Sequence, residues 1–115
     1  MKEYYGTKRI QAVECVNEDG RPGYNVEYPD GYMSWSPKDA FEAAYRESGR
    51  MNFDHALAAL REGRKVARAS WILAKSYGYL SLFPGPVLSF VLGGLETIWE
   101  GVHNDILAED WYVVE

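Results

Sequence analysis

Residues 51–71, MNFDHALAALREGRKVARASW, constrain the fold of this chain more than any other stretch. Asn52 is a strong N-cap, because its side-chain oxygen accepts from a free amide of a first helical turn. Phe53, Ala56, Leu57 and Leu60 recur at three- and four-residue steps and so share one helical face. Gly63 stands where a left-handed residue ends a helix, with Arg61 and Arg64 near the negative end of the helix dipole. Lys65-Val66-Ala67-Arg68 then alternates charged and apolar side chains as a half-buried strand does. Trp71 closes the stretch. Two readings are open here: a basic strand ending in an aromatic can wall a small anionic ligand, or it can be ordinary core.

The bulk properties narrow the choice. A chain of 115 residues is one domain or two very small modules. Its 47% apolar and 25% charged content allows a packed core. A net charge of -5 argues against general DNA or RNA binding, which needs a basic face to displace counterions. A small nucleotide held by a few local cations stays open. Cys15 is the only cysteine, so no intramolecular disulfide and no cysteine zinc cluster is expected, and a reducing cytosol is the default. The N-terminus, MKEYYGTKRI, lacks the apolar core of a signal peptide. Residues 76–95 carry no charge over a membrane-spanning length, but Pro84-Gly85-Pro86 interrupts them. They read as two strands and a turn, with no membrane partner.

Taken in order, residues 7–16 alternate loosely as a strand, and residues 17–23, NEDGRPG, form an exposed loop. Tyr24, Val26 and Tyr28 share one face of a second strand. Pro29-Asp30-Gly31 signals a tight turn, and residues 32–35 return. Ser36 is expected to cap the next helix, with Pro37 at its first position, Asp39 closing a capping box, and Phe41, Ala44 and Tyr45 as its apolar stripe. Beyond Trp71, residues 72–75 read as a loop or strand extension. Residues 77–82, 87–92 and 97–99 read as strands, residues 103–108 as one or two helical turns, and residues 109–114 as a last strand with Trp111 and Val113 on one face. The expected fold class is α+β: small antiparallel β-sheets with one main helix per module, the modules being residues 1–50 and 51–115.

Catalytic sets are thin. His55 and His103 are the only histidines, and nothing in the sequence brings them together. His55 reads as a surface imidazole on an amphipathic helix. No metalloprotease, nucleophile-elbow or phosphate-loop motif is present. Glu109 and Asp110 are neighbours, so in a strand they face opposite sides and cannot work as a carboxylate pair. The chain is therefore expected not to be an enzyme, and no cofactor or metal is called for.

Binding is better supplied. Arg61, Arg64, Lys65 and Arg68 fall within eight residues, with Lys75 beyond, and guanidinium groups match phosphate oxygens. Trp71, Tyr77, Tyr79, Trp99 and Trp111 surround them in sequence, and aromatic rings stack on nucleobases for roughly 1–3 kcal/mol per base. Asn104, Asp105 and Asp110 suit ribose hydroxyls. The alternatives are helix-end charge for the cations, core packing for the rings, and turn capping for Asn104 or Asp105.

At this point the chain resembles a known family. Residues 51–71 follow a pattern MxFxxALxxLxxGxxVxRxxW, and residues 99–114, ending LAEDWYVV, follow a pattern W…S..DxLAxDWxVV. Both are marks of the Thoeris anti-defence 2-like phage domain, and the resemblance covers residues 51–115. Residues 28–46, YPDGYMSWSPKDAFEAAYR, resemble an accessory module found beside or ahead of such domains in phage proteins. Two departures stand out. The segment from Ile72 to Leu95 is shorter and more apolar than in many relatives, and His103-Asn104 replaces a small polar pair such as Ser-Gln.

The resemblance implies a binder without chemistry. Such proteins act as sponges, sequestering uncleaved a cyclic ADP-ribose isomer with a glycosidic link, and in some members cyclic oligonucleotides. They work in the cytoplasm of the infected bacterial host as homo-oligomers, a tetramer foremost, with pockets between subunits. The residues carried over are Arg68, Trp71, Trp99, Asn104, Asp105, Asp110 and Trp111, and Tyr77 joins them as a ligand candidate from its place in the aromatic middle. The alternative is a phage structural or protein-interaction module whose aromatics are core.

Overall fold

The computed structural model describes residues 1–73, 77–82, 87–101 and 103–115. The chain divides into two compact units, Met1–Arg46 and Glu47–Glu115. Its two antiparallel sheets and short helices make an α+β fold. No helix among the described residues is long and apolar enough to cross a membrane.

The first unit is a three-stranded sheet and a helix. β1 (Gln11–Val16), β2 (Pro22–Glu27) and β3 (Met33–Pro37) pair in sequence order. The β1–β2 loop is held by Asn17, whose Oδ1 accepts from the amides of Asp19 and Arg21. The Pro29-Asp30-Gly31 turn forms as expected. The Gly31 amide donates to Tyr28 O, and Gly31 takes φ 88, a conformation open chiefly to glycine. α1 (Lys38–Ala44) lays Phe41 on Tyr24, with ring centroids 4.1 Å apart, over the buried Val26.

The start of α1 differs from expectation. Ser36 pairs with Tyr24 inside β3 and stands one residue before the cap position, where its Oγ donates to Pro37 O at 3.5 Å. Pro37 takes the cap position, and no side chain caps the helix there. A strand running directly into a helix leaves no residue for the usual Ser cap.

The second unit is built on the helix–glycine–strand stretch. α2 (Phe53–Arg61) starts at Asn52, whose Oδ1 accepts from the His55 amide at 3.0 Å. His55 Nδ1 accepts in return from the Asn52 amide, so His55 fills the place a glutamate usually takes in a capping box. Gly63 takes φ 85 just past the helix end. Its amide donates to Leu60 O and that of Arg64 to Ala59 O, the paired bonds of a Schellman stop. The chain then enters β4 (Lys65–Arg68).

Around β4 a five-stranded antiparallel sheet assembles in the order β7-β6-β5-β4-β8. Its other strands are β5 (Tyr79–Ser81), β6 (Ser89–Leu92), β7 (Leu95–Ile98) and β8 (Trp111–Val114). Two short helices, α3 (Ala69–Leu73) and α4 (His103–Ile106), connect them. Residues 72–73, expected as loop or strand, are thus helical, while Ala74, Lys75 and the Pro84-Gly85-Pro86 turn lie outside the described residues. The core is Met51, Ala56, Ala59, Leu60, Val66, Leu80 and Trp111, all nearly inaccessible to water. Burying a Leu or Val side chain stabilises by about 1.5–3 kcal/mol each.

The outer edge of β8 is closed. The amides of Gly49 and Met51 donate to Trp111 O, the Trp111 amide donates to Met51 O, and the Val113 amide donates to Ser48 Oγ. Residues 47–50 therefore pack with the second unit.

The α2 boundaries are directly testable by urea denaturation. Asn52→Ala is expected to cost about 1 kcal/mol through loss of the reciprocal cap. Gly63→Ala is expected to cost about 1–2 kcal/mol, because a Cβ is strained at that φ.

Candidate functional site

The site is built where β4 ends. Val66 and Arg68 point to the core face of the sheet, and across the ladder Arg68 meets Trp111 while Val66 meets Val113. Arg68 therefore projects among the helices, its side chain only 17% exposed. A guanidinium there needs counter-charges, and two arrive from remote positions. Its Nε donates to Asp110 Oδ1 at 2.9 Å and its Nη1 to Asp105 Oδ1 at 2.7 Å. Among the described residues Nη2 has no partner.

Asp110 also makes α3. Its Oδ2 accepts from the Ser70 amide at 3.0 Å and its carbonyl from the Ala69 amide. Amides that open a helix need acceptors, and here one residue forty positions away supplies them. This turns the chain after Arg68 into a helix and sets Trp71 on it. Asp105 works similarly: its carbonyl accepts from Trp111 Nε1 at 2.9 Å, so the short α4 is tied to β8.

The electrostatics follow. Burial pushes the Asp110 carboxyl up, but hydrogen bonds from Arg68 and from the Ser70 amide, with the charge of Arg68, outweigh it and hold its pKa below the ordinary 3.8. Burial likewise opposes the charge on Arg68, and the two carboxylates more than restore it.

Five aromatic rings gather beside these ion pairs. Trp111, wholly buried, meets Trp71 edge-on at 5.4 Å, Trp99 edge-on at 6.3 Å, and Phe53 at 5.4 Å. Trp71 also meets Phe90 edge-on, and Phe53 meets Trp99. Trp71, Trp99 and Phe53 keep part of their surface in water. Two glycines make room: a Cβ at Gly78 would run into the Phe90 ring, and one at Gly101 would sit 2.9 Å from Trp99 and 3.1 Å from Ile106.

Of the residues singled out in the sequence, Arg68, Asp105, Asp110, Trp71, Trp99 and Trp111 come together. Trp111 is the floor of the group and offers no surface of its own. Asn104 is exposed on α4, and Tyr77, 69% exposed, stands outside the ring cluster. The basic cluster does not form one wall. Strand pleating sends Lys65 to the face opposite Arg68, where its Nζ lies 4.7 Å from the Tyr79 ring centre. Arg61 and Arg64 stay at the end of α2, and Lys75 lies outside the described residues. Phe53 and Phe90 belong to the cluster although they read as plain core. Among the described residues, no three His, Cys, Asp or Glu side chains gather to hold a metal ion.

Two outcomes are expected from the ion pairs. Arg68→Met strands two largely buried carboxylates and should lower stability by about 3–5 kcal/mol in urea denaturation. For Asp110, the folded pKa lies below the unfolded one, so the unfolded chain takes up the proton first as pH falls. The stability it contributes is complete above the ordinary carboxylate pKa and is lost as pH drops through the lower folded value. Asp110→Asn should remove that acid-side slope in a pH series of melting temperatures.

Residues 51–114 match the Thoeris anti-defense 2-like domain. No curated protein and no solved structure matches the chain. The matched region spans the capped α2, the Arg68 strand, the three tryptophans and both aspartates, and it covers more than half of the sequence. On that match the chain belongs to the Thoeris anti-defense 2-like family.

Proposed function

We propose that this protein counters Thoeris defence by binding, without cleaving, a cyclic ADP-ribose-type signal nucleotide, and that it holds the nucleotide at the Trp71–Trp99 group. The observation that carries the reading is the pair of partly exposed indoles braced on one buried indole beside a cation. Half-exposed rings held rigid from behind are stacking platforms for a base, and they lose little entropy when the base arrives. The remaining N–H groups of Arg68 suit a phosphate oxygen. Asn104, exposed on the adjoining α4, suits a ribose hydroxyl, as does Asp105 Oδ2, the carboxylate oxygen that neither Arg68 nor the Ser70 amide occupies. Sequestration asks for nothing more: no nucleophile, general base or metal takes part.

In this reading the protein works as a homo-oligomer, a tetramer foremost, in the cytoplasm of the infected host, with pockets completed between subunits. The first unit is an accessory module that contributes no named residue to the site. Cyclic oligonucleotides are a second ligand class the same platform suits.

Thermal denaturation of the full chain with the nucleotide tests this. At a hundred times its dissociation constant the ligand adds about 2.7 kcal/mol to native stability. Trp71→Ala is expected to weaken binding by about 1–3 kcal/mol, and Trp99→Ala by a similar amount. Trp111→Ala should instead lower basal stability by about 3–5 kcal/mol, as loss of a buried indole does. A melting temperature unmoved by any cyclic nucleotide would favour a protein-interaction module whose rings are purely core.

A further inference from the structure

We propose that β7 pairs antiparallel with β7 of a second copy of this chain, centred on Thr97, and so brings Leu95 of each copy against Trp99 of the other. This rests on the oligomeric part of the reading above, names its interface, and is tested without nucleotide.

The two edges of the second unit's sheet are treated differently. Ser48, Gly49 and Met51 close the β8 edge. Among the described residues no strand pairs with the outer side of β7, and all four of its residues are exposed, Leu95 at 69% and Ile98 at 74%. Leu92 beside them is 46% exposed. Solitary proteins blunt such an edge with charged side chains, lysine above all, with proline, a bulge or a very short strand. Here it carries leucine, isoleucine and one glutamate.

The hairpin fixes which backbone groups are unspent. Gly93 and Gly94, with φ 59 and 80, make the two-residue turn that joins Leu92 to Leu95. Along the ladder Phe90 faces Thr97, and the Trp99 amide donates to Leu88 O at 2.9 Å. Alternation therefore turns the N–H and C=O of Leu95, Thr97 and Trp99 toward β6, and those of Glu96 and Ile98 outward. Among the described residues these outward groups make no hydrogen bond.

A second copy fits this edge in one register. A two-fold axis through a continuous antiparallel sheet must pass beside a residue, so that facing side chains share a face. Centring on Leu95 runs the overlap into the glycine turn. Centring on Glu96 opposes two carboxylates, and centring on Ile98 opposes Glu96 to Glu100; both are unfavourable. Centring on Thr97 opposes Glu96 to Ile98, Thr97 to Thr97 and Leu95 to Trp99. It uses every outward N–H and C=O of Glu96 and Ile98 and opposes no like charges. Leu95 and Trp99 lie on the core face, so Leu95 of the second copy adds an apolar wall at Trp99, next to Phe53. Each copy then contributes to the other's aromatic site.

The experiment is light scattering after size exclusion, with disulfide trapping of the full chain in a Cys15→Ser background. Facing Cα atoms of a non-hydrogen-bonded pair lie about 4.5 Å apart, within reach of a disulfide. Thr97→Cys is therefore expected to give a covalent dimer under mild oxidation, and Glu96→Cys, which faces Ile98, is not. Ile98→Glu sets glutamates opposite at both symmetric positions and should weaken association more than about tenfold. Ile98→Lys sets a lysine opposite Glu96 and should keep the dimer. If Ile98→Glu fails to fold by circular dichroism, the trapping pair decides. A monomeric wild type overturns the proposal. So does an oligomer that Thr97→Cys does not trap, or one that both Ile98 variants dissociate, which would mark a merely apolar contact. An oligomer that pairs as described but retains no nucleotide sustains the interface and sinks the ligand reading.

Discussion

The second unit depends on one guanidinium between two carboxylates. Arg68 leaves the end of a strand on the core side, where an unpaired charge would cost several kcal/mol. Asp105 and Asp110 pay that cost and are themselves fixed by it. Asp110 also accepts from the Ser70 amide and so starts α3, and the Asp105 carbonyl also holds the Trp111 indole. The ion pairs join at one point the segments that carry Trp71, α4 and β8. The same three side chains first read as ligand contacts thus act, before anything else, as the frame of the aromatic group. What they leave over, among the described residues, is a guanidinium edge and Asp105 Oδ2.

Much of the fold was legible because its signals are local. Asn52, Gly63 and the Pro29-Asp30-Gly31 turn each dictate backbone geometry within four or five residues, and each formed where expected. Two of the misses share one cause, an influence from a distant segment, and the third is local. Ser36 was drawn into β3 by pairing with Tyr24 and stands one residue before the cap position. Ile72 became helical because an acceptor forty residues away opens α3. His55 took the acid's part in a capping box, a geometry that the residue type alone does not announce.

The site divides along the same line. Which rings exist was plain, but their arrangement was set by pairings across the sheet. The pleat separated Lys65 from Arg68, adjacent cations that looked like one wall. It brought Trp111 under Trp71 and Trp99, making a floor of a residue for which core packing and ligand contact had both stood open. Phe53 and Phe90 had no signal beyond apolar spacing, yet they brace the two partly exposed indoles. The glycines at 78 and 101 are legible only afterwards, once the rings they admit are in place.

The proposed reading is that the partly exposed indoles, set on this frame of ion pairs, hold a nucleotide intact. The most direct measurement is recovery. The full chain is mixed with the cyclic ADP-ribose-type signal, separated from free nucleotide by filtration, and heat-denatured, and the released material is identified by chromatography and mass. Sequestration predicts that the signal is retained with the protein and released chemically unchanged. Release of a cleaved product, or passage of all of the nucleotide through the filter, would contradict it.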